Sequence, residues 1–165
     1  MNAIILKAKK QPYLILGGFT VVLAFLALFE LIQGILSPAH PEFLWQCVTG
    51  SLLVIALTYQ WYLFYLRQTQ RTQHARFHYL AHRWVGVTAT GMFALHAISA
   101  GHMWTSALAV VFVLTAITGI LNREIIPYPQ RWMYLVWFWV HMTLSTVMIP
   151  LALLHIWVAL LYQGT

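Results

Sequence analysis

The chain has 165 residues, 61% of them hydrophobic and only 7% charged, with a formal net charge of +6. This composition excludes an ordinary water-soluble domain and predicts an all-α integral membrane protein with room for five or six spans and no sizeable soluble catalytic domain. No basic patch is interleaved with aromatics in the manner of a nucleic-acid binder, so no nucleic acid is expected as a partner. The single cysteine, Cys47, lies in an apolar run. It excludes an intrachain disulfide or a cysteine-ligated iron–sulfur cluster and reads as a small core residue.

In chain order, Lys7, Lys9 and Lys10 precede a first apolar run over about residues 11–36. Small residues follow at Ser37 and Ala39, but the run is far longer than the ~7–15 residues of a signal-peptide core, so a retained first span is expected. A short loop holds Pro38, His40, Pro41 and Glu42, and a second span covers about 43–66. Trp45 near its start and Trp61, Tyr62 and Tyr65 near its end suit interfacial aromatic belts. RQTQRTQHARFH, from Arg67 to His78, is the most polar segment. A third span over about 78–100, a tight connection at GHMW and a fourth span over 104–121 follow. NREIIPYPQR then interrupts the helical pattern with two prolines, and a fifth span covers about 132–162. Pro150 within it removes the hydrogen bond to the Thr146 carbonyl and predicts a kink.

Loops placed alternately inside and outside put every Lys and Arg on one side: Lys7, Lys9, Lys10, Arg67, Arg71, Arg76, Arg83, Arg123 and Arg131. The basic side is the cytoplasmic one, which predicts an N-terminus inside and a C-terminus outside.

Two of the apolar runs carry pairs of histidines at equal spacing, His82 with His96 and His141 with His155, each pair fourteen positions apart. Fourteen residues make nearly four whole helical turns and rise about 21 Å, so each pair lies on one face at two membrane depths. A single histidine in an apolar helix is commonly hydrogen-bonded to a neighbouring helix and binds nothing. The repeated spacing is what packing alone has no reason to produce. Imidazole is a common ligand of iron, and Gly86, Ala89 and Phe93 on one helix with Ser145, Met148 and Ala152 on the other leave room for a flat macrocycle. With one span between them, the third and fifth run in the same direction. His82 then shares the inner level with His141, and His96 the outer level with His155. The expectation is two haem groups, each with one axial histidine from either span. C-x-x-C-H is absent, so the haems are expected to be b-type and non-covalent. Two imidazole ligands leave the iron no open position, which favours electron relay over oxygen chemistry.

Arg83, beside His82, is the candidate partner for the inner haem propionates, and its other reading is snorkelling to the cytoplasmic surface. The outer level has no Lys or Arg, leaving His102, Thr105, backbone groups or a partner subunit for that role. His74 and His78 on the inner side, and His40, Glu42 and His102 on the outer side, are candidates for proton exchange with a quinone; loop solvation is their other reading. His74, His78 and His82 would form one helical stripe, a weaker candidate for a separate metal site.

Two co-directional helices with two histidines each, one crossing helix apart, resemble the dihaem core of cytochrome b in quinol–cytochrome c reductases. By helix order they are more similar to ferric-reductase-like and NADPH-oxidase-like membrane domains, in which the third and fifth helices carry the ligands. The resemblance covers His82 to His155, and the HRWVG and LLHIW surroundings resemble small prokaryotic b-type cytochrome subunits. It implies His82, His96, His141 and His155 as axial ligands. It also implies a membrane subunit of a respiratory oxidoreductase in a prokaryotic cytoplasmic membrane, working with the quinone pool and a redox subunit; the outer face is expected to hold that subunit, because it lacks cations for the outer haem and has only short loops. The sequence departs from these families in the flavin and nicotinamide domain of ferric reductases, a sixth helix and the Pro-Glu-Trp-Tyr quinol motif, none of which it shows. Two rival readings need no haem: a metal or proton transporter using the same histidines, and a structural membrane anchor.

Overall fold

The structure, a computed structural model, describes residues 11–29, 43–69, 75–97, 103–122 and 125–161. Five α-helices and no strand occur among the described residues: α1 (Pro12–Leu28), α2 (Phe43–Gln68), α3 (Ala75–His96), α4 (Met103–Ile120) and α5 (Arg131–Leu161). All five sequence-predicted helices are present, with ends shifted by a few residues. The first is the exception: its described helix stops at Leu28, and residues 30–42 lie outside the described residues. Two stretches, Phe43–Leu66 and Arg131–Leu161, are long and apolar enough to cross a membrane. α5 runs through Pro150 as one helix.

The chain divides into two compact units, Met1–Ser99 and Ala100–Thr165. In the first, α3 packs against both α1 and α2. α1 starts with Pro12 in its first turn, where the missing N–H costs nothing. The helix is apolar on every side, but Tyr13, Gly17, Ala24 and Ala27 are its buried residues, one stripe at helical spacing. Small residues along such a stripe let two backbones approach closely, and α3 answers with Gly91, whose missing Cβ would stand 3.4 Å from Thr20 Cγ2. Tyr13 contacts Arg83 and Trp84 while Thr20 contacts Gly91, so α1 and α3 run in the same direction. On the other side Thr49 meets His96 and Tyr59 meets His78, which makes α2 antiparallel to α3.

The second unit is the hairpin of α4 and α5. Its turn is closed by Ile125 and Ile126 N–H groups donating to the Asn122 carbonyl, each at 3.0 Å, and by the Tyr128 hydroxyl donating to the Leu121 carbonyl at 2.7 Å. Large apolar side chains face outward in both units: Leu44 is 70% exposed, Trp139 64% and Leu153 62%. The buried hydroxyls of Thr49 and Thr90 are directed to carbonyls of their own helices, as are the half-buried Thr115 and Ser145. This leaves few hydroxyl protons without an acceptor on an apolar face.

Candidate functional site

Each histidine pair rides on one uninterrupted helix, His82 and His96 on α3, His141 and His155 on α5. The fourteen-residue spacing therefore survives as a rigid separation of about 21 Å along each helix axis. All four rings are half-buried.

His96 is held by α2. Its Nδ1 lies 2.9 Å from Thr49 Oγ1, and Thr49, 5% exposed, donates its own proton to the Trp45 carbonyl at 2.8 Å. The ring lies so close to the backbone of the next residue that a Cβ at Gly50 would come within 3.2 Å of His96 Cε1. His141 is held by α4 in the same fashion. Its Nδ1 lies 2.9 Å from Thr118 Oγ1, which donates to the Thr115 carbonyl at 2.9 Å. That carbonyl, which can only accept, is a further hydrogen-bond partner of the His141 ring. The ring of Trp137, one helical turn earlier, lies 6.0 Å away at 10° to the imidazole, and its Nε1 donates to the Thr118 carbonyl at 2.8 Å.

Around His82, the Gln60 amide of α2 donates to the His82 carbonyl at 3.0 Å. The same Nε2 lies 3.4 Å from where a Cβ would stand on Gly86, so the bare side of Gly86 is packed against α2 within its own unit. His82 Nδ1 is shielded from solvent. Ser145 donates back to the His141 carbonyl at 2.8 Å, while Ala89, Phe93 and Met148 are buried.

Arg83 sits between two phenols. Nη1 donates to the Tyr13 hydroxyl and Nη2 to the Tyr79 hydroxyl, and the guanidinium carbon stands 4.7 Å and 4.1 Å from the two ring centroids. His78 belongs to a separate aromatic cluster. Its Nδ1 lies 3.0 Å from the Tyr59 hydroxyl, with the Tyr62 and Phe77 rings edge-on at 5.2 Å and 5.4 Å. His40, Glu42, His74 and His102 lie outside the described residues, as do all three carboxylates of the chain, Glu30, Glu42 and Glu124.

The residues present suit an iron porphyrin. They offer half-buried imidazoles among apolar residues, two of them hydrogen-bonded at Nδ1, the second nitrogen of an Nε2-ligating histidine. Sequence reasoning missed Tyr13, Thr49, Gly50, Tyr59, Gln60, Thr118 and Gly119. The one signal that pointed to any of them was the dipeptide Thr-Gly, which occurs inside three apolar runs, at Thr49, Thr90 and Thr118. The chain matches no family model, no curated protein and no solved structure.

Proposed function

We propose that this chain is a five-span membrane protein that carries electrons between the two faces of a prokaryotic cytoplasmic membrane through two b-type haems. In this reading it is the cytochrome subunit of a quinone-linked respiratory oxidoreductase. The observation that carries it is the equal spacing of two histidine pairs, each on a single unbroken helix. The outward-facing apolar side chains support lipid as the surrounding medium, since an equal area exposed to water would be a large aggregation liability. The alternating directions of α1, α2 and α3 agree with consecutive crossings.

A bis-imidazole haem supplies one-electron transfer. The chain's own residues then have three tasks. His82 and His141 at the inner level, and His96 and His155 at the outer level, donate imidazole nitrogens. Ala89 and Phe93 on α3, and Met148 on α5, all buried, would keep water from their own helices at the depths between the two histidines of each. Arg83 places a guanidinium, held by two phenols, one residue from His82. His78, with His74, His40, Glu42 and His102, would exchange protons with a quinone at the membrane surface, and a redox subunit would dock at the outer face.

A second reading draws on the same hydrogen bonds. Threonine hydroxyls on His96 and His141 are also what a haem-free anchor would use to join helices. Purification in native lipid separates the two. The haem reading expects a Soret band and sharp α-bands on reduction, with two haems per chain by haemochrome assay. A colourless, folded protein would favour the anchor.

A further inference from the structure

We propose that Thr49-Gly50 and Thr118-Gly119 form two histidine seats, in which the threonine fixes the tautomer of one imidazole and the glycine lies against its ring, tightly at Gly50 and at ordinary contact distance at Gly119. A hydroxyl has one proton to give. Thr49 Oγ1 lies 2.8 Å from the Trp45 carbonyl and Thr118 Oγ1 lies 2.9 Å from the Thr115 carbonyl. Unless the hydroxyl proton occupies each of those gaps, two oxygen lone pairs face one another at contact distance. The proton is therefore committed to the carbonyl, and the hydroxyl meets the imidazole with a lone pair. The Nδ1 atoms of His96 and His141, each 2.9 Å away, must then carry the ring proton. The lone pair of each neutral ring is thereby placed on Nε2.

The glycine completes the seat. A Cβ would stand 3.2 Å from His96 Cε1 at position 50 and 3.5 Å from His141 Cε1 at position 119. The same side of each dipeptide thus meets the same side of each ring, once in each unit. A third Thr-Gly, at Thr90 and Gly91, shows that the dipeptide alone does not make a seat: that hydroxyl donates to the Gly86 carbonyl at 2.8 Å and the glycine faces Thr20 Cγ2.

Thr49 and Thr118 are positioning residues, acting through the histidines they hold. The tautomer assignment stands without a cofactor; its consequence for haem rests on the dihaem reading above. In that reading one seat serves each haem, Thr49 the outer and Thr118 the inner. A hydrogen bond donated from Nδ1 makes the imidazole a stronger donor to iron, which favours the oxidised metal and lowers its potential.

Histidine ¹⁵N NMR of the haem-free protein in lipid, above the imidazole pKa, reads the tautomer directly. The seats predict Nδ1–H at His96 and His141. Thr49→Val should release His96 alone toward the Nε2–H form that an unconstrained neutral imidazole prefers, and Thr118→Val should shift His141 alone in the same direction but less, because the Thr115 carbonyl remains as an acceptor. Thr49→Ser and Thr118→Ser should restore the wild-type spectra. Thr88→Val, which removes a hydroxyl bonded to its own helix, should change neither ring. Redox titration of the haem-loaded protein should show one haem shifted upward in each valine variant, a different haem in each. Nε2–H rings in the wild type, or valine variants with unchanged tautomers and potentials, overturn the seats. Colourless preparations with Nδ1–H at both rings overturn the dihaem reading and leave the seats standing.

Discussion

Arg83 of α3 donates from Nη1 to the hydroxyl of Tyr13 on α1 at 2.5 Å, joining residues seventy positions apart in the chain. Tyr13 is only 7% exposed, and its ring also meets Trp84 edge-on at 6.5 Å. The contact fastens the start of the first helix to the histidine-bearing helix next to His82. Tyr13→Phe keeps the ring and removes the acceptor, and should destabilise the protein by about 1.5–2 kcal/mol, the lower part of the range for a hydrogen bond to a charged group. Arg83→Lys cannot span both phenols with a planar fork and should cost at least as much. Reversible unfolding in mixed detergent micelles measures both changes. Equal stability of Tyr13→Phe and wild type would remove the clasp from the account.

The glycines give a graded series. Gly50→Ala forces His96 or α2 to give way by a few tenths of an ångström, and should lower outer-haem affinity by about tenfold, the scale for disturbing a buttressed ligand. Gly119→Ala makes an ordinary contact at 3.5 Å and should bind haem normally. Gly18→Ala meets nothing within 4 Å and should stabilise α1 by about 0.5–1 kcal/mol, because alanine loses less backbone entropy in a helix. Haem titration of the apoprotein and unfolding curves rank the three. A Gly50→Ala variant that binds like wild type would mean that the ring is not confined at that point.

His78 is the only one of the five proton-exchange candidates among the described residues, and it is hydrogen-bonded to Tyr59 within an aromatic cluster. If it takes a proton from quinol, His78→Ala should slow quinol-driven haem reduction by about 10²-fold, the lower end for loss of a general base. The haem spectra should stay unchanged. Tyr59→Phe, which only loosens the imidazole, should have a smaller effect. Stopped-flow reduction with a soluble quinol analogue measures both rates. Wild-type rates in His78→Ala would return the residue to a packing role.

The helices and the histidine pairs were legible in the sequence because both are local patterns. Runs of apolar residues mark α2 and α5, and a fourteen-residue spacing is meaningful on any helix. Helix ends were less legible: the apolar run from residue 11 continues without a breaker past Leu28, where the described helix stops. What holds the histidines was not legible. Thr49 and His96 are forty-seven residues apart and Gln60 and His82 twenty-two, so only packing of one helix on another brings them together. Gly86 illustrates the limit. Its small size suggested space for a macrocycle, but smallness does not show which neighbour uses it, and its bare side meets Gln60.

The pairing of ligands across the two histidine helices is tested most directly by haem content in the four single variants His82→Ala, His96→Ala, His141→Ala and His155→Ala. Low-temperature reduced spectra resolve the two α-bands. The account predicts that His82→Ala and His141→Ala lose the same band, and that His96→Ala and His155→Ala lose the other. Loss of one band by both His82→Ala and His96→Ala, or a wild-type protein without haem, would contradict it.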